Sequence, residues 1–295
     1  MARRRRRRSG ARLAAFAVLA GSAVVAVVAG PTLIHRYGDG LFSASRCTVT
    51  IDGALSTLTA EQADNAALIA ATALRRGLPN HAVTVALATA LQESDLRNLD
   101  YGDRDSLGLF QQRPSQGWGT AEQIQDPRFA TNAFYDHLEE VPAWEGLPVT
   151  EAAQAVQRSG HPLGYADHEA DARLWARALT GEVPFGAVTC SLPAGRADLA
   201  AAQTFAQRMS GDFGSRVAVT IEGATDGAAA AVRVSSDEQS VLDAAANWSI
   251  AVASGWPVAD VTLCDRRWTR AQEEWSLFDL AEPCTPAVVV GFPTG

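Results

Sequence analysis

The chain is 295 residues long, room for two domains of ordinary size, and 47% of it is hydrophobic, enough for a real core. Its net charge of −8 is unevenly spread: seven arginines, Arg3 to Arg8 and Arg12, precede the first apolar run, and the remainder stands at −15. An acidic body has nothing with which to neutralise phosphates, which argues against nucleic acid as a partner; the arginine run reads instead as a topology signal.

Leu13 to Ile34 follows, a run of 22 residues without a charge. At helical rise it spans roughly 33 Å, against a bilayer core of about 30 Å. Residues 13–34 are expected to cross the lipid bilayer as a transmembrane helix. The segment 1–12 then stays in the cytoplasm, and the bulk of the chain lies outside a cell membrane that it crosses once. The alternative is a cleaved signal peptide with small residues at Ala26 and Ala29, giving a secreted protein. Either way the remainder is exported, and residues 35–46 read as a linker.

The four cysteines, Cys47, Cys190, Cys264 and Cys284, fit an exported chain. None forms a C-x-x-C pair, which argues against zinc and thioredoxin-like chemistry. Three pairings are open. Cys47–Cys190 with Cys264–Cys284 is favoured, because each bridge would then brace one of two segments.

Thr59 and Gln62 make a capping box that opens a helix running to about Arg76, where Gly77 stops it. After the Leu78-Pro79 turn, Val83, Leu87 and Leu91 recur at four-residue spacing on a second helix. A polar loop covers Arg97 to Ser106, and a further loop runs from Arg113 to Gly119. Asp126-Pro127 starts a helix that ends before Pro142. Thr150 opens another, and a last one covers Tyr165 to Leu179 around Trp175. Residues 47–190 therefore read as an all-helical domain.

Beyond Pro193 the pattern changes. A helix over Asp198 to Met209 precedes alternating Val217, Val219 and Ile221. Ala231 to Val234 is a second strand, Glu238 to Ser254 a helix, and Val258 to Leu263 and Ala287 to Val290 two more strands. Residues 195–291 read as a small α+β domain of unassigned role, suited to docking a protein partner. Its Trp248, Trp256, Trp268 and Trp275 either line a surface or fill the core.

The stretch with chemical character is Leu91-Gln92-Glu93-Ser94, followed by a carboxylate-rich loop and Gly108-Leu109-Phe110-Gln111. Cleavage of a glycosidic bond needs a carboxyl group that is still protonated near neutral pH. Glu93 stands at the C-terminal end of a helix, where the dipole disfavours negative charge, and an apolar cleft would push the same way. Hydrolysis would need a second carboxylate as well, and the aspartates of the loop that follows equally suit ordinary turn chemistry. The histidines show no metal spacing, there is no glycine-rich phosphate loop, and Ser94 and Ser106 lack a His-Asp arrangement. No cofactor is implied.

Glu93-Ser94 with Gly108-Leu109-Phe110-Gln111 resembles the signature of the lysozyme-like lytic transglycosylases, in which Glu-Ser is followed by Gly-Leu-Met-Gln. Gly102-Asp103-Arg104 is similar to goose-type lysozymes of the same superfamily, and Ala88 to Leu138 resembles lysozyme-like domains of actinobacterial exported proteins. The likeness covers 47–190. It implies a lysozyme-like helical domain with Glu93 as the single general acid/base. The bond cleaved would join N-acetylmuramic acid to N-acetylglucosamine in peptidoglycan glycan strands. It also implies that Gln111 helps line the cleft and that Tyr165 hydrogen-bonds the acid. Ser94 is a further candidate substrate contact. Arg113 either meets peptide carboxylates or pairs with the neighbouring acids, and Trp118, beside glycines in a loop, either stacks on a sugar or packs. The family's Ala-Tyr-Asn-Ala-Gly motif is absent, and Ala155-Val156-Gln157-Arg158-Ser159 stands in its place. Two rival readings remain: a hydrolytic muramidase using Asp103, and a non-catalytic wall-binding or assembly module.

Overall fold

A computed structural model describes residues 45–295 other than 161–162, 197, 199, 224–229, 280–283 and 294–295. The expected anchor at 13–34 and its flanks at 1–12 and 35–44 lie outside the described residues. Among the described residues no helix is long and apolar enough to cross a membrane.

The first described element is a hairpin. Strand β1 (Arg46–Ile51) alternates buried Cys47, Val49 and Ile51 with outward Thr48 and Thr50, the two-residue period of a half-buried strand. Asp52 and Gly53, both at positive φ, turn the chain into β2 (Ala54–Thr59). Strand β3 (Val188–Ser191) pairs with the other edge of β1, giving the order β2-β1-β3. This sheet corrects the expectation that 47–190 is wholly helical. The pairing of β1 with β3 sets Cys47 opposite Cys190, and a disulfide joins them. A second disulfide joins Cys264 to Cys284. Both bridges suit an oxidising, extracytoplasmic compartment.

Thr59 ends β2 and caps α1 (Ala60–Arg76). Its hydroxyl accepts from the Gln62 amide while the Gln62 side chain accepts from the Thr59 N–H, and Gly77 terminates the helix. Helix α2 (Asn80–Ser94) is apolar on nearly every side and is buried from Ala82 to Leu91. Such a helix needs neighbours all round. It finds them in α5 (Val149–Gln157), in a 3-10 turn Gly164–His168 and in α6 (Glu169–Leu179). Between α2 and α5 come the short α3 (Ala121–Ile124) and α4 (Pro127–Glu139). The Asp126 carboxylate caps α4 and Pro127 occupies its first position.

Helices α7 (Ala201–Phe213) and α8 (Gln239–Ala251) pack with a six-stranded antiparallel sheet. Its strands are β4 (Ala218–Glu222), β5 (Ala231–Ser235), β6 (Asp260–Leu263), β7 (Arg266–Thr269), β8 (Glu274–Leu277) and β9 (Val288–Gly291), in the order β4-β5-β9-β6-β7-β8. Strands β7 and β8 did not announce themselves, because Arg266-Arg267 and Glu274 interrupt the apolar alternation. Trp248 and Trp268 are core residues, which removes them from any exposed tryptophan surface, while Trp275 stays partly exposed beside Arg266.

Helix α8 is buried along its length and touches α1, α6, β3 and β6. Its Asn247 side chain donates to the Ala178 carbonyl at 2.9 Å, and its Asp243 carboxylate accepts from the Phe185 N–H at 2.7 Å. These contacts join 47–190 and 195–291, read from the sequence as separate domains, into one compact unit, Ser45–Gly295, with a continuous core.

The Cys47–Cys190 bridge closes a separation of 143 residues. Replacing both cysteines by alanine is expected to lower stability by about 2–5 kcal/mol, read from denaturant unfolding of the full chain. Reductant should lower the parent in the same direction.

Candidate functional site

Glu93 occupies the penultimate position of α2, where the chain leaves the core, and is partly exposed. The helix stops there because Asp95 and Leu96 take left-handed conformations, with φ 55° and 54°. Their N–H groups return to the last carbonyls of the helix, Asp95 to Leu91 and Leu96 to Ala90. The Gln62 and Asn65 side chains donate to the carbonyls of Asp95 and Leu96, both at 2.8 Å. The turn carrying Glu93 is thereby fastened to α1.

Tyr165 arrives on the 3-10 turn Gly164–His168. Its ring is fully buried, and its hydroxyl donates to Glu93 Oε1 at 2.8 Å. Burial, and then the neighbouring Glu93 carboxylate, raises the Tyr165 hydroxyl well above the ordinary tyrosine value; a hydrogen bond with the Ser159 side chain pulls weakly the other way. Tyr165 is therefore a permanent donor to Glu93. The structure brings together this pair, which the family resemblance implied and which no spacing in the chain would suggest.

Ser94 is buried. Its hydroxyl serves the backbone, 2.7 Å from the Leu109 carbonyl and 3.1 Å from that of Ala90, and so pins the Gly-Leu-Phe-Gln loop onto the end of α2. That loop is a small antiparallel turn with Leu99 paired to Gly108 and Leu107 to Gln112. Gln111, at φ 47°, lays its amide across the turn, with Nε2 3.2 Å from the Tyr101 carbonyl. The space is available only because residue 102 is glycine: a Cβ there would stand 1.9 Å from Gln111 Oε1. Ser94 and Gln111 thus brace the loop itself.

Arg113 is tied down as well. Its Nε donates to Asp105 at 2.7 Å, and the same carboxylate accepts from the Ser115 N–H at 2.8 Å. Ser115, followed by Arg113, holds the Asp105 carboxyl well below the usual carboxylate range. Asp103 projects into solvent with its side chain 91% exposed and Arg104 beside it at 3.8 Å. Trp118 stacks on His137 with ring centroids 4.0 Å apart, half-buried against the core.

Several residues in this neighbourhood escaped the sequence reading. Gln157 Nε2 donates to the Phe110 carbonyl at 2.8 Å, linking the end of α5 to the loop. Gln154 Nε2 donates to the Ser159 carbonyl at 3.0 Å. Both lie in or beside the stretch that departs from the family motif, which was the available signal. Gln92, next to the acid, meets His168 Nε2 at 3.1 Å.

A cavity of about 340 Å3 lies between Leu192, Gly195, Val258 and Arg270 and contains none of these residues. Arg270 is buried in its wall and donates to the carbonyls of Val258, Pro193, Ala253 and Trp256, so its guanidinium is a structural knot that gathers backbone carbonyls. The chemistry of Glu93, rather than the volume of that cavity, identifies the candidate site.

No protein-family model matches this chain, and no curated protein matches it.

The folded-state pKa of Asp105 lies below its ordinary value of 3.8, so its contribution to stability is complete above that value and is lost only as pH falls through the lowered one. Asp105→Asn is expected to lower the melting temperature at neutral pH. The gap to the parent should persist at pH 4 and close only in stronger acid, as read from melting curves across a pH series.

Proposed function

We propose that this chain is a membrane-anchored, extracytoplasmic peptidoglycan lytic transglycosylase that cleaves the bond between N-acetylmuramic acid and N-acetylglucosamine, with Glu93 as its single acid and base. The observation that carries this reading is the Tyr165–Glu93 hydrogen bond at the end of a buried helix. It gives a partly exposed carboxyl group a fixed direction and a donor that does not ionise.

In this mechanism protonated Glu93 gives its proton to the glycosidic oxygen as the bond from that oxygen to the muramic C1 breaks. Positive charge develops on the sugar, next to the carboxylate just formed. The muramic 6-hydroxyl then adds to C1 and returns its proton to Glu93, leaving a 1,6-anhydro end with no water consumed. The Tyr165 hydroxyl stabilises the intervening carboxylate through a charge-assisted hydrogen bond.

The acids closest in sequence to Glu93 favour this route over hydrolysis. Asp95 stands 3.9 Å from Arg97, Asp100 is exposed, Asp103 is turned to solvent, and Asp105 is committed to Arg113 and Ser115. A muramidase would need one of them held across a bound sugar from Glu93. The apolar run at 13–34 and the two disulfides support an anchored, exported placement.

Purified peptidoglycan incubated with the full chain in mild detergent is expected to release anhydro-ended muropeptides, identified by mass. Glu93→Gln should lower the rate by at least about a hundredfold, the usual worth of general acid–base catalysis. Tyr165→Phe should lower it by about ten- to a hundredfold, the rate equivalent of one hydrogen bond to a charged group. Reducing-end products lost in Glu93→Gln would replace this reading with a muramidase. Sugar binding without release would replace it with a wall-binding module.

A further inference from the structure

Behind the Tyr165–Glu93 contact lies a layer of side chains that the cleavage chemistry does not use. Gln92 is exposed on the last turn of α2, so burial does not explain its position. Its amide covers Gly164 so closely that a Cβ at residue 164 would stand 2.9 Å from Gln92 Cδ and Oε1 and 3.1 Å from Nε2. Gly164 does not occupy the left-handed region, so the requirement there is for space and not for backbone freedom.

The same amide meets His168, whose Nε2 is 3.1 Å from Gln92 Oε1. An amide oxygen only accepts, so the ring carries its hydrogen on Nε2 in this contact. Gln92 therefore holds both ends of the 3-10 turn Gly164–His168, and Tyr165 is the second residue of that turn. A 3-10 turn has poorer internal hydrogen bonds than an α-helix and depends on outside contacts to keep its shape. The hold comes from the residue that immediately precedes the acid, so both partners of the hydrogen bond are referenced to one helix turn.

We propose that Gln92 is the positioning residue of this site: by covering Gly164 and binding His168 it fixes the turn so that the Tyr165 hydroxyl meets the Glu93 carboxylate. Its consequence for rate rests on the reading of Glu93 as the acid; its consequence for geometry does not. Loss of the amide lets the turn drift, and a misplacement of about 1 Å costs an enzyme up to roughly a hundredfold in rate.

The test uses the full chain in mild detergent, labelled with tyrosine carrying 13C at Cζ. The chain has four tyrosines, and Tyr165→Phe assigns the signal of interest. Glu93→Gln marks the shift reached when the charged acceptor is gone. Gln92→Ala and Gly164→Ala are each expected to move the Tyr165 signal most of the way to that mark and to lower kcat about ten- to a hundredfold, with KM within about twofold. The double variant Gln92→Ala with Gly164→Ala should be no worse than Gln92→Ala alone, because the added methyl enters space the amide has left. His168→Ala, at a partly exposed position, should move the signal the same way by less, and it decides the matter should a Gln92 variant fail to fold. A Tyr165 signal that stays at its parent position in the folded variants would overturn the proposal, as would a rise in KM at constant kcat. If the parent releases no glycan fragments, the enzymatic reading falls while the tyrosine shifts still decide the positioning role.

Discussion

Everything at the candidate site depends on the burial of α2. A helix with Val83, Val85, Leu87 and a run of alanines and threonines buried along it has no solvent face of its own. The small residues let α1, α5 and α6 approach closely, and the resulting packing leaves the helix one permitted exit, at its C-terminal turn. Glu93 stands at that exit. Its direction is thus set by packing over the whole length of α2, and no local contact has to overcome a mobile backbone before the carboxylate can be aimed.

A helix end of this kind carries unsatisfied carbonyls, and here the loops that surround the acid satisfy them. Asp95 and Leu96 cap the helix with their own N–H groups, and Ser94 ties it to Leu109. Gln157 then ties Phe110 to α5, and Gln112 donates to the Ala130 carbonyl of α4. Side-chain amides meeting backbone carbonyls recur throughout. Each bond is individually modest, but together they convert a long irregular segment into a rigid frame. Ser94 and Gln111 belong to this frame.

What could be read from the chain follows the range of the interactions involved. The starts of α1 and α4 were legible because a cap is a bond between residues two or three apart: Thr59 with Gln62, and Asp126 with Arg128. Strands β1 and β3 were not, because two runs of six and four residues take their place in a sheet only when Cys47 meets Cys190, far along the chain. The favoured cysteine pairing matched the observed bridges, yet the reasoning behind it, two separately braced domains, meets a continuous core instead. At the site, Glu93 was marked by its place at a helix end as well as by resemblance and Tyr165 by resemblance, whereas the contact of Gln92 with Gly164 leaves no mark in either residue's neighbours. Asp103 and Asp105 sit in equivalent-looking acidic surroundings, and only folding separates the free one from the one bound by Ser115 and Arg113.

The state of Tyr165 constrains the route a proton can take. A phenol raised well above its ordinary value by burial and by an adjacent carboxylate holds its proton more tightly than an ordinary tyrosine, which suits it to donate a hydrogen bond to that carboxylate. On the proposed reading, Glu93 carries the proton to the leaving oxygen and takes one back from the group that attacks the sugar. With Asp105 neutralised by Arg113 and Ser115 and Asp103 in bulk solvent, neither is positioned by its contacts to orient a water for that step. A hydroxyl already attached to the substrate needs no such orientation, since its position is fixed by the sugar ring. On the proposed reading, an acid held by a tyrosine hydroxyl is for this reason better matched to internal attack than to hydrolysis.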